Sequence, residues 1–257
     1  MNEWGWTMKT EIIETKNWQG VDLDCSSCPS FGSHCRLREA CVEDRYAKRI
    51  DRFFDWNPGA AKNYLGHPYF EVRAVAAKHV EVELLPLLMN DRDETVRWSV
   101  AMRLPTDYLI EMRSDPDRDV RIRVADRLDE RSIGSMLDDR DYFVRQIVAR
   151  RMPVRLLTLM MNDPDREVRK IVASRIAEGC LDKMLADEDP TVRLEVVRRI
   201  HPTRLPLLID DEDWRVRYKV AGRIGTAYLK RFTVDFDEAV RDMALSRLAQ
   251  EMGNGKN

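Results

Sequence analysis

Four cysteines fall within 17 residues, in the pattern Cys25-x2-Cys28-x6-Cys35-x5-Cys41. As thiolates, such a set binds zinc or an iron–sulfur cluster. In a chain with no visible export signal, the clustering reads as a metal site before it reads as disulfides. Cys25 and Cys28 share the short loop that lets neighbouring sulfurs reach one centre, and Pro29, Gly32 and the interleaved serines keep the segment irregular enough to wrap it. Zinc sites usually pair two short knuckles, and here the second pair is wider, so the unequal gaps suit a [4Fe–4S] cubane. Spacing alone leaves zinc open as well, with an apo or disulfide state behind both. Beyond Leu37 the pattern turns helical toward Phe53 and Phe54, which would put Cys41 in the first turns of a helix. His34 lies beside Cys35, but four thiols complete a site without it. Cys180 stands where other repeats have Leu84, Tyr108 or Leu156 and is expected in the core. Trp4, Trp6, Trp18 and Trp56 crowd the N-terminal region and are expected to seal the cysteine segment against its neighbour.

No second chemistry is visible. There is no phosphate-binding glycine loop, no Gly-x-Ser-x-Gly elbow and no His-Glu-x-x-His pair, and His67, His79 and His201 are scattered. With 43 Lys and Arg against 45 Asp and Glu, the net charge of −2 gives no bulk reason to bind nucleic acid or an acidic membrane. No apolar run is long enough to span a bilayer. Met1 to Thr10 lacks the basic patch and apolar stretch of a secretory signal, so the expected location is cytoplasmic.

The elements that must carry the cysteine segment are written in a repeat. Val-Arg recurs at Val72, Val96, Val120, Val144, Val168, Val192, Val216 and Val240, every step being 24 residues. Val or Ala follows four positions later and an apolar residue eight positions later, one stripe of a helix. An Asp precedes each stripe from Asp93 to Asp237 and is placed to cap that helix. A second, shorter part carries Leu and Met pairs with prolines such as Pro86, Pro105, Pro153, Pro202 and Pro206, and fits a short α- or 3-10-type helix better than a strand. The architecture expected is all-α, two helical layers per repeat, each repeat stable only against its neighbours.

The Asp-x-x-Val-Arg-x-x-Val-Ala-x-Arg-Leu core resembles the leucine-rich repeat variant family, densely over residues 72–248. The resemblance implies a right-handed superhelical solenoid of alternating α- and 3-10 helices. Some members carry an N-terminal four-cysteine domain holding a [4Fe–4S] cluster, so it also implies that cofactor, with Cys25, Cys28, Cys35 and Cys41 as its ligands and zinc as the alternative. The expected organisation is a cluster domain over 1–56, a degenerate capping repeat over 57–71, seven complete repeats over 72–239 and a truncated repeat and tail over 240–257. Relatives are associated with nitrogen-fixing bacteria.

Two ladders of Arg run through the repeats, one after each anchor Val (Arg73 to Arg241) and one six positions later (Arg103 to Arg247). Aspartates nearly match them in number. An Arg in a helix's first turn sits at the unfavourable end of the helix dipole and needs an anion. The capping Asp four residues earlier, or its equivalent in the next repeat, is the expected partner. The ladders are therefore read as a structural lattice and not as a ligand surface. The function expected is an iron–sulfur-bearing interaction scaffold, redox-responsive, with a protein partner and no membrane. The alternatives are an electron-transfer or redox-sensing protein and, without positive support, a nucleic-acid-binding solenoid.

Overall fold

The computed structural model describes residues 15–254, with side chains through residue 252. Among the described residues there is no β-strand, only two isolated bridges, Lys16 with Asp22 and Arg36 with Ala40. The chain divides into two compact units at Arg127 and Leu128. The first holds α1 (Ala47–Trp56), α2 (Phe70–His79), α3 (Glu94–Ala101), the single turn α4 (Thr106–Leu109) and α5 (Arg118–Arg127). The second holds α6 (Tyr142–Arg151), α7 (Arg166–Arg175), α8 (Pro190–Arg199), α9 (Trp214–Ala221), α10 (Leu229–Phe232) and α11 (Glu238–Asn254). Between the long helices run short 3-10 segments such as Val82–Leu88, Val154–Met160, Glu178–Met184 and Pro202–Leu208. The alternation of α- and 3-10 helices is the one expected from the repeat.

The long helices begin where the sequence says they should. The Thr95 N–H donates to the Asp93 carboxylate at 2.9 Å, and Asp141, Asp165, Asp189 and Asp213 accept from first-turn amides in the same way. Their apolar stripe is buried without exception from Val72 to Val240, together with Val100, Val124, Val148, Val172, Val196 and Val220. The apolar residue eight positions on lies just past the helix: Ile176 caps α7 with a non-helical backbone (ψ 152°) and donates its N–H to the Val172 carbonyl.

The second layer is 3-10 because of its apolar spacing. Leu85 and Leu88, Leu157 and Met160, Leu181 and Met184, and Leu205 and Leu208 are buried pairs three residues apart. A helix with three residues per turn puts such pairs on one face. The preceding residue in each repeat faces partly outward. Cys180 is accordingly half-buried beside the fully buried Leu181, not a core cysteine as its position suggested.

Neighbouring repeats are joined by both Arg ladders, with partners that differ from the expected ones. Arg97 makes a bidentate contact with Asp115, Nε donating at 2.8 Å and Nη2 at 3.0 Å, while Nη1 donates to the Asp91 carbonyl at 2.8 Å. Arg73 with Asp91, Arg145 with Asp163, Arg169 with Asp187, Arg193 with Asp211 and Arg217 with Asp235 repeat the arrangement. The anion is the Asp two residues before the next capping Asp, not a capping Asp. The physical reason is division of labour. The capping carboxylate is occupied by helix amides, whereas the earlier Asp sits at the elbow after the 3-10 segment. There its Oδ1 also accepts the N–H of the capping residue, as from Asp165 to Asp163 at 2.8 Å.

In the second ladder Arg103, Arg127, Arg175, Arg199, Arg223 and Arg247 donate to backbone carbonyls of the preceding repeat. Arg199 donates to the carbonyls of Ala173 at 2.6 Å and Ile176 at 2.7 Å, and Arg247 does the same to Ala221 and Ile224. Arg127 caps α3 likewise through Ala101 and Leu104. The last carbonyls of a helix have no partner inside it. In these pairs the following repeat supplies a guanidinium to one or two of them, at the end of the dipole where a cation is favoured.

Candidate metal centre

Cys25 and Cys28 are brought close by a turn in which the Cys28 N–H donates to the Cys25 carbonyl at 3.4 Å. Asp24 ties that turn: its carboxylate accepts from the Ser26 N–H at 2.9 Å, the Ser26 hydroxyl at 2.7 Å and the Ser27 hydroxyl at 3.1 Å. Those bonds, the Ser26 hydroxyl first, hold Asp24 below the usual carboxylate range. Gly32, at φ 95°, lets the loop turn back where a side chain would be strained.

The second pair is aligned by a pinch in the chain. Arg36 and Ala40 exchange backbone hydrogen bonds at 2.8 Å in each direction, and Arg38 takes a positive φ of 69° between them. Cys35 and Cys41 flank this bridge on antiparallel arms and so fall side by side. Cys41 therefore follows the turn ahead of α1, six residues before Ala47, and is not in the first turns of a helix. The hydrophobic spacing toward Phe53 and Phe54 belongs to α1 alone.

Helix α1 is the floor on which the loop rests. Asn57 at its end donates Nδ2 to the His34 carbonyl at 2.7 Å and accepts the His34 N–H at 3.1 Å. His34 is thus held by its backbone while the residue remains exposed. Asp44, fully buried, accepts from Arg49 at 2.6 Å and from the Tyr46 N–H at 3.0 Å, and the Arg49 guanidinium lies over the Tyr46 ring at 5.0 Å. Trp18 stacks on Tyr69 at 5.7 Å and meets His67 edge-on at 5.0 Å, joining the cysteine segment to α2. Trp56 remains partly exposed, and Trp4 and Trp6 lie outside the described residues.

All four cysteines line one cavity of about 30 Å³, with Leu37, Val42 and Phe53 among its apolar walls. Their thiols are free, as is that of Cys180; Cys25 and Cys35 are exposed and Cys28 and Cys41 partly buried. Burial pushes the Cys41 thiol up to about 11, against the lowering effect of the backbone N–H groups of Glu43 and Asp44. Cys35 is raised by burial and then by the charges of Cys28 and Cys25. Among the described residues, no three His, Cys, Asp or Glu groups converge closely enough to hold a single metal ion. The four cysteines line one shared space, and a set of four thiolates is the donor set of an iron–sulfur cluster.

An α/3-10 repeat array and a four-thiol pocket together define a helical repeat protein with an iron–sulfur module. Residues 15–63 match the family model described as the LRV protein FeS4 cluster. A solved structure, described as a leucine-rich repeat variant with a novel repetitive protein structural motif, is 40% identical with a TM-score of 0.81, covering 88% of this chain and 98% of that one. An uncharacterised 27.7 kDa protein in the nifB 3′ region of Rhodobacter capsulatus is 44% identical over 99 residues, which cover 37% of this chain and 40% of that protein's length. The chain belongs to the leucine-rich repeat variant proteins that carry an FeS4 cluster domain. Among the described residues no helix is long and apolar enough to cross a membrane.

Proposed function

We propose that this protein is an interaction scaffold with a redox-responsive iron–sulfur module, in which Cys25, Cys28, Cys35 and Cys41 ligate the cluster. The shared cavity supports the ligand assignment. When bound, the cluster supplies one-electron chemistry and a covalent tie across the loop. The chain's own part is to hold four thiols on α1 and to wall them with Leu37, Val42 and Phe53. A reducing cytoplasm suits free thiols of this kind.

The scaffold reading rests on the inward-facing ladders. With those arginines committed to aspartates and helix carbonyls, recognition is left to the variable outer positions. There Tyr142, Trp214 and Tyr218 are exposed, the residue types that anchor protein interfaces. The partner is a protein, and the Rhodobacter capsulatus relative points the search toward nitrogen-fixing cells. A second reading, electron exchange at the cluster edge, is favoured by the exposed Cys25, Cys35 and Phe31.

Anaerobic purification with metal analysis tests the module: about four irons and four sulfides per chain are expected, lost in Cys35→Ser. One zinc in their place overturns the assignment. Cross-linking in the native host tests the scaffold. Trp214→Ala with Tyr218→Ala should reduce the yield of a cross-linked protein. A nucleic acid bound with steep salt dependence would replace the protein partner.

A further inference from the structure

The thiol cavity is apolar apart from its sulfurs, with one exception. Among the described residues that line it, Ser30 carries the only side-chain oxygen. Ser30 is 5% exposed, and its backbone is held by the Ser33 N–H, which donates to the Ser30 carbonyl at 3.0 Å. Its Oγ lies 2.6 Å from Tyr64 Oη, and no other hydrogen bond among the described residues engages either hydroxyl. A buried hydroxyl has both a hydrogen and lone pairs to satisfy.

The phenol is the more acidic of the two groups and the better donor. With Tyr64 donating to Ser30 Oγ, the serine hydrogen is left without a protein acceptor, and the space it lines is the cavity. Tyr64 is not free to swing away. Its ring packs edge-on against Phe53 at 5.9 Å and Phe54 at 5.5 Å, and lies 6.3 Å from His67. Phe53 also walls the cavity, so the same packing fixes Tyr64 relative to the thiols. Burial pushes the Tyr64 phenol up, outweighing the Ser30 hydrogen bond that lowers it. The phenol therefore stays protonated and able to donate.

We propose that Ser30, held in place by Tyr64, donates a hydrogen bond to the sulfur shell of the cluster and thereby raises its reduction potential. An O–H directed at sulfur stabilises the more negative, reduced state, and bonds of this kind are among the levers that set cluster potentials. The inference rests on the four-thiolate assignment above.

The experiment is a spectroelectrochemical titration of the anaerobically purified full chain, with iron and sulfide measured first. Ser30→Ala should load normally and show a more negative midpoint. A charge-assisted hydrogen bond is worth on the order of tenfold in the reduction equilibrium, or ~59 mV for a one-electron couple. Tyr64→Phe, which keeps the ring packing, should shift the same way by less, and Ser30→Thr should restore the wild-type value. If Ser30→Ala fails to fold or load, Tyr64→Phe decides. A fully loaded Ser30→Ala or, failing that, Tyr64→Phe with an unchanged midpoint overturns the proposal. Wild-type protein that takes up no iron overturns the ligand assignment itself, which is a different result.

Discussion

Arg169 illustrates what one side chain does in this protein. Nε and Nη2 fork onto Asp187 at 2.8 and 3.0 Å, and Nη1 satisfies the Asp163 carbonyl at 2.9 Å, all with the guanidinium and carboxylate about 7% exposed. Removing one partner of such a pair strands the other in a poor solvent, at a cost of about 3–5 kcal/mol. Arg169→Ala should therefore destabilise far more than the surface change Arg198→Ala, whose partner Glu195 lies in the same helix. Chemical denaturation of both variants measures the difference, and equal values would mean the lattice contributes nothing special.

The same carboxylates predict a pH dependence. Arg217 holds Asp235 below the usual carboxylate range. Burial alone would raise Asp91, but Arg73 and the Asp93 N–H outweigh it and the net shift is downward. Asp213 is lowered to about 2, chiefly by the Arg215 side chain. Groups depressed in the folded state contribute stability that is complete above the unfolded carboxylate value of about 3.9 and is lost as pH falls toward the folded one. Melting temperature should stay level from neutrality to about pH 5 and drop below about pH 4. A transition that holds steady to pH ~2 would contradict the sign of these shifts.

A single repeat cannot bury its own stripe, so at the scale of elements the stabilising contacts lie between helices. Ile176 is fully buried at the end of α7, and Ile176→Ala should cost about 2–5 kcal/mol through lost burial and the void left behind. Arg199→Ala tests something else, the cap that α8 supplies to the last carbonyls of α7. Amide exchange should rise at the end of α7 in this variant more than in α8, which carries the substitution. The reverse order would mean that the guanidinium serves its own helix and not its neighbour.

At the scale of the whole chain, two kinds of order coexist. The repeats are held by regular hydrogen bonds, stripes and ladders, none of which needs a metal. The segment from residue 16 to 46 has turns, two isolated bridges and the Asp44–Arg49 pair, but no helix. Binding of a metal to such a loop couples directly to its folding. In hydrogen exchange, iron-free protein should lose protection over residues 16–46 relative to iron-loaded protein, while α6 to α11 keep theirs. Uniform protection in both states would make the cluster a passenger on a preformed loop.

The repeat period, the anchoring valines, the capping aspartates and the four-cysteine spacing were all legible in the sequence. Each is a short-range pattern: the 3.6-residue stripe, an Asp one residue before a helix, four thiols in one stretch of chain. The three-residue spacing of Leu85 and Leu88 was equally present, although it marks a 3-10 face only once burial shows which Leu of each pair points inward. Other features depended on separations that sequence spacing does not rank. Arg97 passes over the nearby Asp93 for Asp115, because Asp93 is already engaged by Thr95 and stacking brings the next elbow within reach. Cys41 follows a turn pinned by Arg36, Ala40 and α1, not a helix. Ser30 and Tyr64, 34 positions apart, meet only because the loop folds onto α1. Local periodicity determined which elements exist. Only packing decided which side chain meets which, since a contact's energy depends on distance in space and on what else competes for the same group.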